Sequence, residues 1–167
     1  MQTLQFLYEI QPKNTLFIDR KVLLEHHKII LHGPRKSGKT SLILDYLSQY
    51  EKKNYLYIDW DDERIDKHEV QHDIETFISK YSIKLLVIEN FDFSFELPSL
   101  NEVILSTTKT DKTLRGFQNY MLYPLDFEEF LAFDKKHSNI EHLFNLFTNQ
   151  GTFAHLHLTL DADHAKN

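Results

Sequence analysis

Cysteine is absent from this chain of 167 residues, which excludes a thiol nucleophile, a cysteine-based zinc site and any disulfide framework. Long apolar runs are missing too: no stretch approaches the roughly 20 residues of a membrane-spanning helix, and Met1 to Glu9 lacks the basic leader and apolar block of a signal peptide. A soluble, cytoplasmic protein with no membrane partner is the expectation. Arginine is scarce. Only Arg20, Arg35, Arg64 and Arg115 occur, which disfavours a small-molecule kinase, whose lid needs several forked donors to screen two phosphate substrates. Positive charge is outweighed, with a net charge of −6, so the surface as a whole is not suited to non-specific polyanion binding. Nucleic acid therefore finds no support in the charge, although a local basic patch remains compatible with it. Internal repeats and low-complexity tracts are also lacking. The composition that is left, 41% hydrophobic and 13% aromatic, suffices for one domain with a real core.

One stretch organises the rest. Gly33-Pro34-Arg35-Lys36-Ser37-Gly38-Lys39-Thr40 fits the phosphate-binding (Walker A) pattern G-x-x-x-x-G-K-[ST] without a mismatch. Such a loop binds phosphate because successive backbone N–H groups point into one concavity while the following helix presents its positive end. The candidate nucleotide contacts run from Gly33 to Ser41. Lys39 would reach the β- and γ-phosphates, and the Thr40 hydroxyl would ligate a bridging Mg²⁺. The context agrees: Lys28 to His32 reads as a buried parallel strand, and Leu42, Ile43, Tyr46, Leu47 and Tyr50 recur at helical spacing after the loop.

Residues 1–27 read as a lead-in packed on the sheet edge, ending in a short helix over 19–26, with no chemistry in view. Tyr55 to Ile58 reads as a second strand that runs into Asp59-Trp60-Asp61-Asp62-Glu63. The carboxyl end of a strand in an open α/β sheet faces the ligand crevice, so an acid here could reach a metal's water shell; a solvated loop fits equally well. Ile83 to Ile88 forms a third strand ending in Glu89-Asn90, where a Walker B carboxylate would hold Mg²⁺ and a glutamate would polarise the attacking water. Glu89 is one methylene longer than the usual Asp, and Asn90 cannot accept a proton. The pair suits binding better than fast hydrolysis, with Thr40 and Glu89 as the candidate metal ligands.

A fourth strand, Glu102 to Leu105, ends in Ser106-Thr107-Thr108, whose hydroxyls could sense a γ-phosphate or simply form a polar turn. A fifth, 118–125, is stopped by Pro124. Asp126 reads as an N-cap, with Glu128 and Glu129 in the first turn and Phe127, Phe130, Leu131 and Phe133 on the apolar face. A second helix is expected from about 139 to 148. The organisation is thus a lead-in (1–27), a core (28–125), a helical extension (126–150) and a tail (151–167) expected to be partly disordered. His68-Glu69-Val70-Gln71-His72 matches the zinc-peptidase pattern H-E-x-x-H, with two histidines on one helical face and Glu69 as base. It also fills the slot of a crossover helix, with Val70, Ile74, Phe77 and Ile78 available for burial.

Several of these stretches together resemble a family of prokaryotic AAA-type ATP-binding proteins: the 33–40 loop, Tyr57 to Asp62, Leu86 to Asn90, Val103 to Thr108 and Tyr123-Pro124-Leu125-Asp126-Phe127-Glu128-Glu129-Phe130-Leu131, which is similar to a "YPLSFxEFL" signature after the fifth strand. The resemblance covers about residues 15 to 153. It implies a five-stranded α/β P-loop core of strand order 5-1-4-3-2 with a helical extension. By position it implies ATP phosphates on the loop, Glu89 at the Mg²⁺-linked carboxylate, Asn90 at the catalytic glutamate, Ser106 to Thr108 at the γ-phosphate sensor and Arg115 near an arginine that precedes the fifth strand. The chain departs from it at Asn90 and in stopping before the winged-helix and nuclease-like region of longer members.

The expected function is an ATP-binding domain that holds MgATP and hydrolyses it slowly or not at all, a nucleotide switch or one part of an assembly with a protein partner or with itself. Lys39, Glu89, Asn90 and Arg115 are the candidate catalytic positions. The alternatives are a zinc-dependent hydrolase on His68 and His72 and a scaffold that binds no nucleotide.

Overall fold

The computed structural model describes residues 1–10, 12, 19–133 and 139–150. Five strands, β1 (Lys28–His32), β2 (Tyr55–Asp59), β3 (Leu85–Glu89), β4 (Glu102–Thr107) and β5 (Gln118–Met121), form one sheet of order β5-β1-β4-β3-β2 in which every pairing is parallel. This is the order expected, written from the same end. Helices α1 (Gln2–Glu9), α2 (Lys39–Leu47), α3 (Lys67–Tyr81), α4 (Phe127–Phe133) and α5 (Ile140–Gln150) accompany it. Among the described residues no helix is long and apolar enough to cross a membrane.

The strands are apolar on both faces because both are covered, and side chains alternate between them along each strand. One face carries Ile30, Leu56, Ile58, Leu86, Ile88, Val103 and Leu105 against Val70, Ile74 and Phe77 of α3 and Leu4 and Leu7 of α1. The other carries Ile29, Leu31, Tyr55, Tyr57, Leu85, Val87 and Ile104 against Leu42, Ile43 and Leu47 of α2. α3 begins where the Asp66 side chain accepts from His68 and Glu69 N–H and ends at Ser82, which takes the left-handed conformation (φ 53°).

Several boundaries differ from the sequence reading: β2 runs on to Asp59 and β4 to Thr107. Residues 19–26 are extended rather than helical: Val22 and Leu24 pack toward α2 while Leu23 between them is 66% exposed, a period of two. β3 starts at Leu85, after the αL turn at Ser82 has carried Ile83 into the core. β5 ends at Met121, although the Leu122 N–H still donates to the His32 carbonyl at 2.7 Å. The 151–167 tail lies outside the described residues.

Candidate functional site

The loop 33–38 joins β1 to α2 at the carboxyl end of the sheet. Its path depends on backbone conformations that most residues avoid: Lys36 has φ 66° and Gly38 φ 95°. Gly33 is required on steric grounds, since a Cβ there would lie 2.3 Å from the Leu122 carbonyl oxygen and 3.1 Å from Ser37 Oγ. Ser37 is fully buried, yet its Oγ has no hydrogen-bond partner. Pro34, Arg35 and Lys36 form the exposed crest, where Arg35 approaches Asp61 at 3.4 Å. Ser41 is half-buried in the first turn of α2.

Lys39 is buried, and its ammonium turns back into the loop to donate to the carbonyls of Gly33 (2.9 Å) and Pro34 (2.8 Å). Burial holds its pKa below the usual lysine range; attraction from Glu89 opposes that shift and the Arg35 charge adds to it. Thr40 Oγ1 lies 3.0 Å from each oxygen of the buried Glu89 carboxylate. Glu89 also accepts from the Tyr57 hydroxyl and from Ser106 Oγ at 3.3 Å. Burial pushes the Glu89 carboxyl above its ordinary value; the Tyr57, Thr40 and Ser106 hydroxyls pull back, and the Asp59 charge adds to the rise. The Tyr57 hydroxyl is itself pushed far up, first by burial and then by the Glu89 charge.

Asn90 is left-handed (φ 54°), and its side-chain amide donates to Asp59 Oδ1 at 2.8 Å. Of the acidic cluster that begins at the end of β2, Asp59 thus reaches the end of β3, while Asp62 pairs with Arg64 and Asp61 stands out toward Arg35. Among the three hydroxyls at the end of β4, only Ser106 turns to Glu89. Thr107 faces the other way and accepts from the Lys109 N–H at 3.2 Å, and Thr108 is exposed. Alternation along β4 dictates that split.

Arg115 is not part of this constellation. It precedes β5, whose Gln118 aligns with Ile29 at the start of β1, so it stands at the amino end of the sheet. Ile29 and Gly33 are four residue steps apart, about 13 Å at roughly 3.3 Å each. Arg115 is exposed there and does not reach the loop of its own chain.

His68 and His72 are both exposed on α3. Glu69 accepts from Thr3 Oγ1 at 2.8 Å and from the Met1 amino group, and His72 meets Asp73 at 2.7 Å. No group of three or more potential ligands that could hold a metal occurs among the described residues. The motif serves as the crossover helix, and its acid secures α1.

Sequence reasoning missed Tyr57 and Arg20. Tyr57 was recoverable, because it lies two residues before the end of β2 and so shares the α2 face with Val87 and Glu89. Arg20 was not. Its side chain is 4% exposed and bonds at once to Ser37 O (2.6 Å), Tyr123 O (2.7 Å) and Glu129 Oε1 (3.0 Å). No local pattern announces a contact across more than 100 residues.

Comparison with known proteins agrees with this geometry. Residues 25–92 match the sequence model of a family described as an AAA domain. A signal transduction ATPase with numerous domains (STAND) that carries a tetratricopeptide repeat sensor, from Pyrococcus horikoshii, superimposes with a TM-score of 0.55 at 16% identity, over 82% of this chain and 28% of that one. AMPPCP-bound DnaA from Aquifex aeolicus superimposes with a TM-score of 0.55 at 15% identity, over 96% of this chain and 58% of that one. At such identities the likeness speaks for the fold. This chain spans less than two thirds of either relative, and no curated protein matches it.

Proposed function

We propose, from the premise that this chain carries an AAA-type P-loop ATPase core, that it binds MgATP through residues 33–41 and turns it over slowly or not at all, acting as a nucleotide-dependent switch or as one part of an assembly. The observation that carries the reading is the loop itself. It curls at the carboxyl end of a parallel sheet with a buried ammonium inside it, satisfied by two carbonyls that a phosphate would replace. The unpartnered Ser37 Oγ leaves a polar atom free within the loop, and the side-chain-free Gly33 lets the loop backbone pack against the Leu122 carbonyl.

The donor set beside the loop fits a hard divalent cation. A hydroxyl and a carboxylate, Thr40 and Glu89, already meet at 3.0 Å. When bound, Mg²⁺ would neutralise charge on the phosphate oxygens. Lys39 would leave the loop carbonyls and bind phosphate oxygen. Glu89 would face the cation with its orientation held by the Tyr57 and Ser106 hydroxyls, and a cation there would oppose the rise that burial gives its pKa. Asn90 has no basic atom, and its amide is spent on Asp59, so Asp59 is the carboxylate left to orient water. Arg115 could serve only the site of another molecule, because it stands at the opposite end of the sheet from its own. A missing arginine finger alone lowers turnover by roughly 10³ to 10⁵.

Calorimetric titration of MgATP into the wild type and Lys39→Ala tests the reading. Binding by the wild type that Lys39→Ala loses is the expected result; equal and negligible affinity in both would refute it. A phosphate-release assay is expected to give about one turnover per minute or less. A clearly faster rate would contradict the inference from Asn90.

A further inference from the structure

We propose that Arg20 is a positioning residue for the phosphate loop and that, through Glu129, it couples the state of that loop to helix α4; this rests on the nucleotide reading above. Arg20 belongs to the extended lead-in, ahead of β1 in the chain. Its side chain is 4% exposed and that of Glu129 7%, and their ion pair measures 3.0 Å. From this buried pair the bonds radiate to the loop, to the connection between β5 and α4, and to the lead-in. Arg20 donates to Ser37 O in the loop and to Tyr123 O after β5. Glu129 accepts from the Lys21 N–H at 2.9 Å and from the Asp126 N–H at 3.1 Å, while Asp126 Oδ1 accepts from the Glu129 N–H at 2.8 Å.

The bond to Ser37 carries the argument. In a trans peptide the carbonyl and the next N–H point in opposite directions, so a donor fixed on Ser37 O turns the Gly38 N–H to the other side, toward the loop's concavity. Gly38 has φ 95° and no side chain to hold it there. Arg20 therefore orients, from behind, an amide that faces phosphate. A charge-assisted bond from a rigid, buried fork restricts rotation more than a mobile ammonium can. Glu129 fixes the fork in turn and is part of α4, so displacement of α4 would slacken the loop, and by linkage anion binding would tighten α4.

Amide hydrogen exchange and MgATP titration on the wild type, Arg20→Lys and Glu129→Gln test this. Without nucleotide, both variants are expected to exchange about tenfold faster over 33–40 and 127–131, with the sheet and α3 unchanged, and to bind MgATP about tenfold more weakly. MgATP should slow exchange over 127–131 in the wild type but not in the variants. Unchanged loop exchange, equal slowing in all three proteins, or a uniform rise across the whole chain would overturn the proposal. Should the wild type not bind MgATP, the nucleotide reading fails, while the exchange comparison without nucleotide still decides whether Arg20 orders the loop.

Discussion

Gly33 sits where the chain can least tolerate a side chain. The Leu122 carbonyl, 2.3 Å from where a Cβ would stand, is backbone and cannot swing aside. Gly33→Ala is therefore expected to cost about 1–3 kcal/mol of stability in urea denaturation and to abolish MgATP binding by calorimetry. Glu89 poses a different question, because the fold holds a buried acid above its ordinary pKa. Such a group binds its proton more tightly folded than unfolded. Its contribution favours the native state at low pH and is lost as pH rises through the unfolded value toward the folded one. Glu89→Gln should thus make the nucleotide-free protein more stable than wild type at neutral pH. The gap should close below about 4.5, the ordinary value. Urea melts at the two pH values would show it, and a variant no more stable at neutral pH would mean that the three hydroxyls, not burial, govern Glu89. The sequence made Lys39, Thr40 and Glu89 readable because each sits at a fixed offset from a strand end. Arg20 was hidden because its partners, Ser37, Tyr123 and Glu129, are brought together by tertiary folding alone.

At the level of elements, the strands were legible wherever both faces are buried. β1, β3 and β4 are short β-branched runs that leave no rival assignment. The lead-in over 19–26 was not. Its apolar residues are few, and only contact with α2 on one side reveals that Val22 and Leu24 alternate rather than wind. The Asp126 cap was legible because its chemistry is local: its Oδ1 accepts from the Glu129 N–H. Asp66 accepts two N–H groups at the start of α3, so Asp66→Ala is expected to lower stability by about 1 kcal/mol, measurable by chemical denaturation. The same helix carries the H-E-x-x-H pattern. Here a reading by spacing alone would mislead, since Glu69 is bound to Thr3. Zinc added to the protein should leave its melting temperature unchanged; a stoichiometric rise would restore the metal reading.

On the scale of the whole molecule, the sheet sets the proposed phosphate site and Arg115 at opposite ends: the loop and Glu89 lie at the carboxyl end, while Arg115 stands at the amino end of β5. If another copy completes the site, ATP turnover per molecule should rise with protein concentration, and Arg115→Ala should remove the rise without altering MgATP affinity in dilute solution. Phosphate release measured across a dilution series separates these outcomes. β5 itself is a four-residue border strand with β1 as its neighbour, and its residues are exposed or half-buried. The Leu122 carbonyl that crowds Gly33 follows directly from it. Border strands with a single ladder fray first, so mild denaturant should strip away anion affinity while circular dichroism still reports an intact fold, and function would vanish before melting begins.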